Sequence, residues 1–101
     1  MSVNNLIMTL LSGVKDVTQR VDIATTIRYF LDLYSMGGIS EEDLRKALYE
    51  VCFDVLSFTI AELTTEEIKE KAKNMTEEFI KAFKVESIMR RAMSKYKVPF
   101  P

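Results

Sequence analysis

Within the stretch Ser40 to Leu63, the charged and aliphatic hydroxyl residues from Lys46 to Ser57 fit on one narrow line. At 100° per residue, Lys46, Glu50, Asp54, Ser57 and Ala61 fall within about 80° of each other. Leu44, Leu48, Val51, Val55 and Phe58 lie on one side of that line, and Tyr49, Phe53, Leu56, Ile60 and Leu63 on the other. A helix that is apolar most of the way round is normally buried. The pattern therefore predicts a central helix over 40–63 that needs neighbours on at least two sides. A chain of 101 residues has few helices to supply them, so a second copy or a partner is expected.

The flanking pattern is also helical. Val3, Ile7, Leu10, Val14, Val17 and Val21 recur at spacings of four and three, starting from Ser2 as a cap, which predicts a helix over about 3–18. From Ile23 a new stripe runs through Ile27, Phe30, Leu31 and Tyr34, with Arg28 and Asp32 spaced to pair outside it. This predicts a second helix over about 20–36. Gly37 and Gly38 close it, and Ser40 with Asp43 opens the next one. Ile27, Phe30, Leu48, Val51 and Val55 are the expected structural centre.

Thr64 and Glu67 form a capping box for a fourth helix over about 65–97. Glu67 with Lys71, and Glu77 with Lys81, are spaced as favourable i, i+4 pairs. Ile68, Ala72, Met75, Phe79 and Phe83 mark one face, and beyond them the stripe shifts to Ile88, Met89, Ala92, Met93 and Tyr96. Val85 to Ser87 is therefore a kink, a fresh start, or the point where the helix leaves one core for another surface. Unbroken, residues 65–97 would reach roughly 50 Å. Val98 to Pro101 reads as an extended apolar tail. The fold class is all-α, a small bundle of four or five helices with a long C-terminal helix.

Composition bounds the rest. Hydrophobic residues make up 48% and charged ones 29%, the balance of a globular domain, and the net charge of −1 gives no global pull toward phosphate or anionic lipid. Low amide content with many Lys and Glu is the tendency of thermophilic proteins. The lone Cys52 falls on the buried-looking helix and reads as a small core residue in a reducing cytoplasm. No stretch suits a signal peptide or a membrane span.

The absence of His removes the commonest general base and the Glu-x-x-His di-iron motif. Glu66-Glu67-Ile68-Lys69-Glu70 spells E-E-x-x-E, which resembles the first half of the pattern of the all-α nucleoside triphosphate pyrophosphatases, enzymes that hold Mg²⁺ between helices. That resemblance implies a second E-x-x-D element, yet no Asp follows Asp54. A solvated helix start explains the five residues better. Glu50 and Asp54 repel slightly on the polar line of the third helix, with Lys46 as a counter-charge one turn earlier. A helix-turn-helix starting at Leu33 fails because no second turn follows Ser40 within the required distance. No cofactor, metal or catalytic residue is expected.

Charge asymmetry remains. Residues 1–63 carry 5 basic and 9 acidic side chains, against 9 basic and 6 acidic in residues 64–101. Lys84, Arg90, Arg91, Lys95 and Lys97 oppose Glu86 alone near the C-terminus, which makes a basic amphipathic arm. Met89, Arg90, Arg91, Met93, Lys95, Tyr96 and Phe100 are its candidate partner-binding residues. The expected function is a non-enzymatic, homodimeric protein–protein interaction module. Nucleic-acid association through the same arm is the second reading, and a Mg²⁺-dependent nucleotide hydrolase the third.

Overall fold

The computed structural model describes residues 1–95, which form four α-helices: α1 (Val3–Leu10), α2 (Val17–Ser35), α3 (Glu41–Thr59) and α4 (Thr65–Lys95). A 3-10 turn over Leu11–Gly13 follows α1. Helix α3 lies at the centre and touches the other three, with α4 antiparallel on one side and α2 on the other. Its polar line of Lys46, Glu50, Asp54 and Ser57 is exposed, while Leu44, Leu48, Cys52, Val55 and Leu56 are buried. The chain therefore supplies most of the cover that the girth of α3 demands. Phe58, still 66% exposed, is the exception.

Each helix starts on a side-chain cap. Ser2 accepts the N–H of Asn5, Asp16 that of Gln19, and Ser40 that of Asp43, all at 3.0–3.1 Å. Thr64 and Glu67 exchange two bonds at the head of α4. At the end of α2, Gly37 adopts φ +79°, and the N–H groups of Gly37 and Gly38 donate to the carbonyls of Tyr34 and Leu33. That closing motif reverses the chain into α3.

Two helices are shorter than the hydrophobic spacing predicts. Helix α1 ends at Leu10 rather than near residue 18. Leu11 and Val14 stay buried by leaving the helix, whereas Val17 and Val21, which continue the same spacing, are exposed. The guanidinium of Arg20 donates to the carbonyls of Leu11 and Val14 at 2.7 and 2.8 Å, satisfying groups that the broken helix frees. Helix α3 ends at Thr59 rather than 63. Thr59 donates its hydroxyl to Val55, Ile60 turns extended, and Ile60 and Leu63 fold back against the core.

Helix α4 runs without a break through Val85 to Ser87, so the shift of its stripe marks departure from the core rather than a kink. Its 31 residues span about 46 Å, close to the whole 49 Å length of the molecule. The core also draws more on α1 and α4 than the expected centre did. Val3, Ile27, Leu31, Leu44, Leu48 and Phe79 are fully buried, whereas Phe30 and Val51 are only half-buried at its edge. Arg28 donates to the side chain of Asn4 on α1 rather than pairing with Asp32.

Candidate functional site

The register between α3 and α4 decides which part of α4 is left uncovered. Arg45 meets Glu77 at 2.6 Å, and Glu41 at the first turn of α3 meets Lys84 at 2.6 Å. Glu86 accepts the backbone N–H of Val3, at the first turn of α1, at 2.9 Å. Both neighbouring helices therefore begin at the level of residues 84–86. Helix α4 continues beyond them for about two and a half turns.

Val85 is 50% exposed, Ile88 65% and Met89 58%. Ala92 is exposed and Met93 half-buried. At 100° per residue Val85, Ile88, Met89, Ala92 and Met93 span an arc of about 140°, and Lys84, Arg90, Arg91 and Lys95 fall outside it on the remaining circumference. The arm is thus an amphipathic helix whose apolar stripe has left its own core. Tyr96 and Phe100, also expected to contribute, lie outside the described residues.

The cationic side of the arm borders a cleft of about 550 Å³ against the end of α2, lined by Tyr34, Phe83, Lys84, Ser87, Arg90 and Arg91 among others. Tyr34 and Phe83 pack with ring centroids 6.3 Å apart, and the Tyr34 hydroxyl donates to Glu41 at 3.1 Å. Glu41 thereby gathers Lys84, Tyr34 and Arg45. The Lys84 ammonium, followed by the Tyr34 hydroxyl, holds its carboxyl below the usual range, and Glu41 in turn raises Lys84. Glu77 raises Arg45 in the same way. Lys84 is therefore engaged at the surface by Glu41 of its own chain, whereas Arg90 and Arg91 form no ion pair among the described residues.

The ion pairs between α3 and α4 were not visible in the spacing of the sequence, whereas the Thr64–Glu67 capping box was. Glu77 faces Arg45 across helices rather than Lys81 along its own, Lys46 pairs with Glu42 rather than with Glu50, and Glu67 is held by the Thr64 cap rather than by Lys71. The Thr64 N–H and hydroxyl keep the Glu67 carboxyl below its ordinary value. Glu66 lies 3.5 Å from Lys69, so Glu66 and Glu67 of the E-E-x-x-E run serve the head of the helix. Among the described residues no three His, Cys, Asp or Glu side chains are grouped as a metal ion would need. Burial pushes the Cys52 thiol up to about 11, which keeps it protonated and poorly nucleophilic. No described helix is long and apolar enough to cross a membrane.

Compared with protein-family models, curated proteins and solved structures, the chain matches none of them.

Proposed function

We propose that this chain is a non-enzymatic helical interaction module that associates with a second copy of itself through the C-terminal arm of α4. The observation that carries this reading is the exposure of Val85, Ile88 and Met89 on one side of a helix that has outrun its bundle. Isolated exposed hydrophobic residues are ordinary, but neighbours aligned on one helical stripe form a patch that favours a partner. Arg90 and Arg91 lie on the far side of the arm from the stripe and give it a positive field that favours an acidic surface.

Substituting Ile88→Asp together with Met89→Asp tests the reading by light scattering at hundred-micromolar concentration. The parent chain is expected at twice the mass of one chain and the double variant at the mass of one. Circular dichroism should show the same helix content for both. A double variant that associates as tightly as the parent would remove the arm from the account.

Nucleic-acid association is the second reading, supported by Arg90 and Arg91, which form no ion pair among the described residues, beside Tyr34 in one cleft. It predicts binding to a single-stranded or duplex oligonucleotide that weakens steeply with salt, because each neutralised phosphate releases counterions. The excess of acid in residues 1–63 opposes a polyanion, which places this reading second.

A further inference from the structure

The cleft between the end of α2 and the arm holds two positive charges that the chain itself leaves unanswered. Lys84, Arg90 and Arg91 line it, and among the described residues no carboxylate does. Lys84 is answered by Glu41 at 2.6 Å. Arg90 and Arg91 make neither an ion pair nor a hydrogen bond among the described residues. Arg20 shows how an arginine is held when the bundle uses it, with its guanidinium on the carbonyls of Leu11 and Val14. At the end of α2 the carbonyls of Asp32, Leu33 and Tyr34 accept the N–H groups of Met36, Gly38 and Gly37, and neither Arg90 nor Arg91 bonds to them.

The same cleft carries two hydroxyls, of Ser35 and Ser87. Thr9, Thr26, Thr59 and Thr76 each donate to the carbonyl four residues back. Ser35 and Ser87 make no such bond among the described residues. Ser87, Arg90 and Arg91 stand at i, i+3 and i+4, so one hydroxyl and two guanidiniums neighbour each other on one face of α4. That face points about 180° away from the centre of the apolar stripe. The arm thus has an apolar side and, behind it, a side that attracts anions.

Charge and size select the ligand. A phosphate monoester carries about two negative charges at neutral pH and three strong acceptor oxygens. Guanidinium groups pair with phosphate in bidentate fashion. Two unanswered guanidiniums match one such dianion, whereas a carboxylate or a single phosphodiester would neutralise only one of them. The volume of about 550 Å³ suits a small molecule rather than a bare ion. Tyr34 and Phe83, with ring centroids 6.3 Å apart, give the cleft an aromatic wall beside the cations, against which a flat ring can pack.

We propose that this cleft binds a small phosphate monoester with a flat aromatic body, of the nucleoside monophosphate class. Arg90 and Arg91 hold the phosphate, Ser87 adds a hydroxyl bond, and Tyr34 borders the ring. One chain builds the whole site, so it does not rest on the self-association proposed above.

Isothermal titration calorimetry with adenosine 5′-monophosphate, inorganic phosphate, adenosine and a short single-stranded oligonucleotide tests the assignment. Adenosine 5′-monophosphate is expected to bind one per chain, at least about tenfold tighter than phosphate or adenosine alone. Arg90→Gln with Arg91→Gln should weaken it by at least about tenfold. Lys71→Gln with Lys73→Gln removes two cations nearer the head of α4 and should leave it unchanged. All four side chains are exposed, so circular dichroism should show both variants folded. Equal loss in the two variants would overturn the site in favour of a diffuse field. Phosphate binding as tightly as the nucleotide would overturn the ring's place on the aromatic wall. Binding of the oligonucleotide without the mononucleotide would overturn the proposal in favour of a nucleic-acid surface, and no binding of any probe at millimolar concentration would overturn it outright. The mass of the parent chain reports on self-association separately from all of these.

Discussion

Glu86 accepts the backbone N–H of Val3 at 2.9 Å, joining the first turn of α1 to α4 at the level where the arm begins. The contact bridges 83 positions of sequence and places a carboxylate at the positive end of α1. It ties the start of the chain to the base of the arm.

Replacing Glu86 with Ala should therefore destabilise the fold by about 1 to 2 kcal/mol, since a partly buried N–H loses a charged acceptor. Urea melts would show the loss, and hydrogen exchange at the Val3 amide should rise in parallel. An unchanged melt with unchanged exchange at Val3 would mean that α1 is held by its apolar face alone.

The core should respond unevenly. Phe79→Ala and Leu48→Ala remove fully buried side chains and should cost about 3 to 5 and 2 to 5 kcal/mol respectively. Phe30→Ala, at the half-buried edge, should cost roughly half as much or less, because the site opens to solvent and leaves a smaller cavity. Equal losses at Phe30 and Phe79 would contradict the packing order.

Gly13 is required by closeness rather than by backbone angle. A Cβ there would stand 2.9 Å from the Cβ of Thr59, so the end of α3 blocks any side chain. Gly13→Ala should destabilise by about 1 to 3 kcal/mol, as overpacking does. If alanine instead stabilises the chain, the contact between the 3-10 turn and the end of α3 is wrong.

This contact also explains why the end of α1 was hard to read. A glycine inside a hydrophobic repeat is compatible with a continuous helix, and nothing near Gly13 in sequence reveals that Thr59 packs on it. A usable signal did exist in Asp16 and Gln19, a capping pair three residues apart, but the valine spacing runs across it. By contrast, the ends marked by Gly37, Ser40 and Thr64 were legible because local chemistry alone sets them. The arm was legible as a change of stripe with an excess of cations. Its limit, and the capture of Lys84 by Glu41, were not, because both depend on the register between α3 and α4.

Glu41 should give the fold an acid-sensitive component. Its carboxyl is lowered in the folded chain by Lys84, Tyr34 and Arg45, so the ionised form is favoured by folding. That contribution is fully present above the ordinary carboxylate value of 4.5 and is lost as pH falls below it, through the lower folded value. Comparing the pH dependence of melting for the parent and Glu41→Gln should show a shallower acid limb in the variant. Parallel curves would mean that these contacts do not survive in solution.

The central claim is that the end of α4 joins two copies of the chain. Sedimentation velocity of the parent, from micromolar to hundred-micromolar concentration, tests it most directly. The predicted result is a shift from the mass of one chain to twice that mass, reaching a plateau at two. A single species at the mass of one chain across the whole range would contradict it.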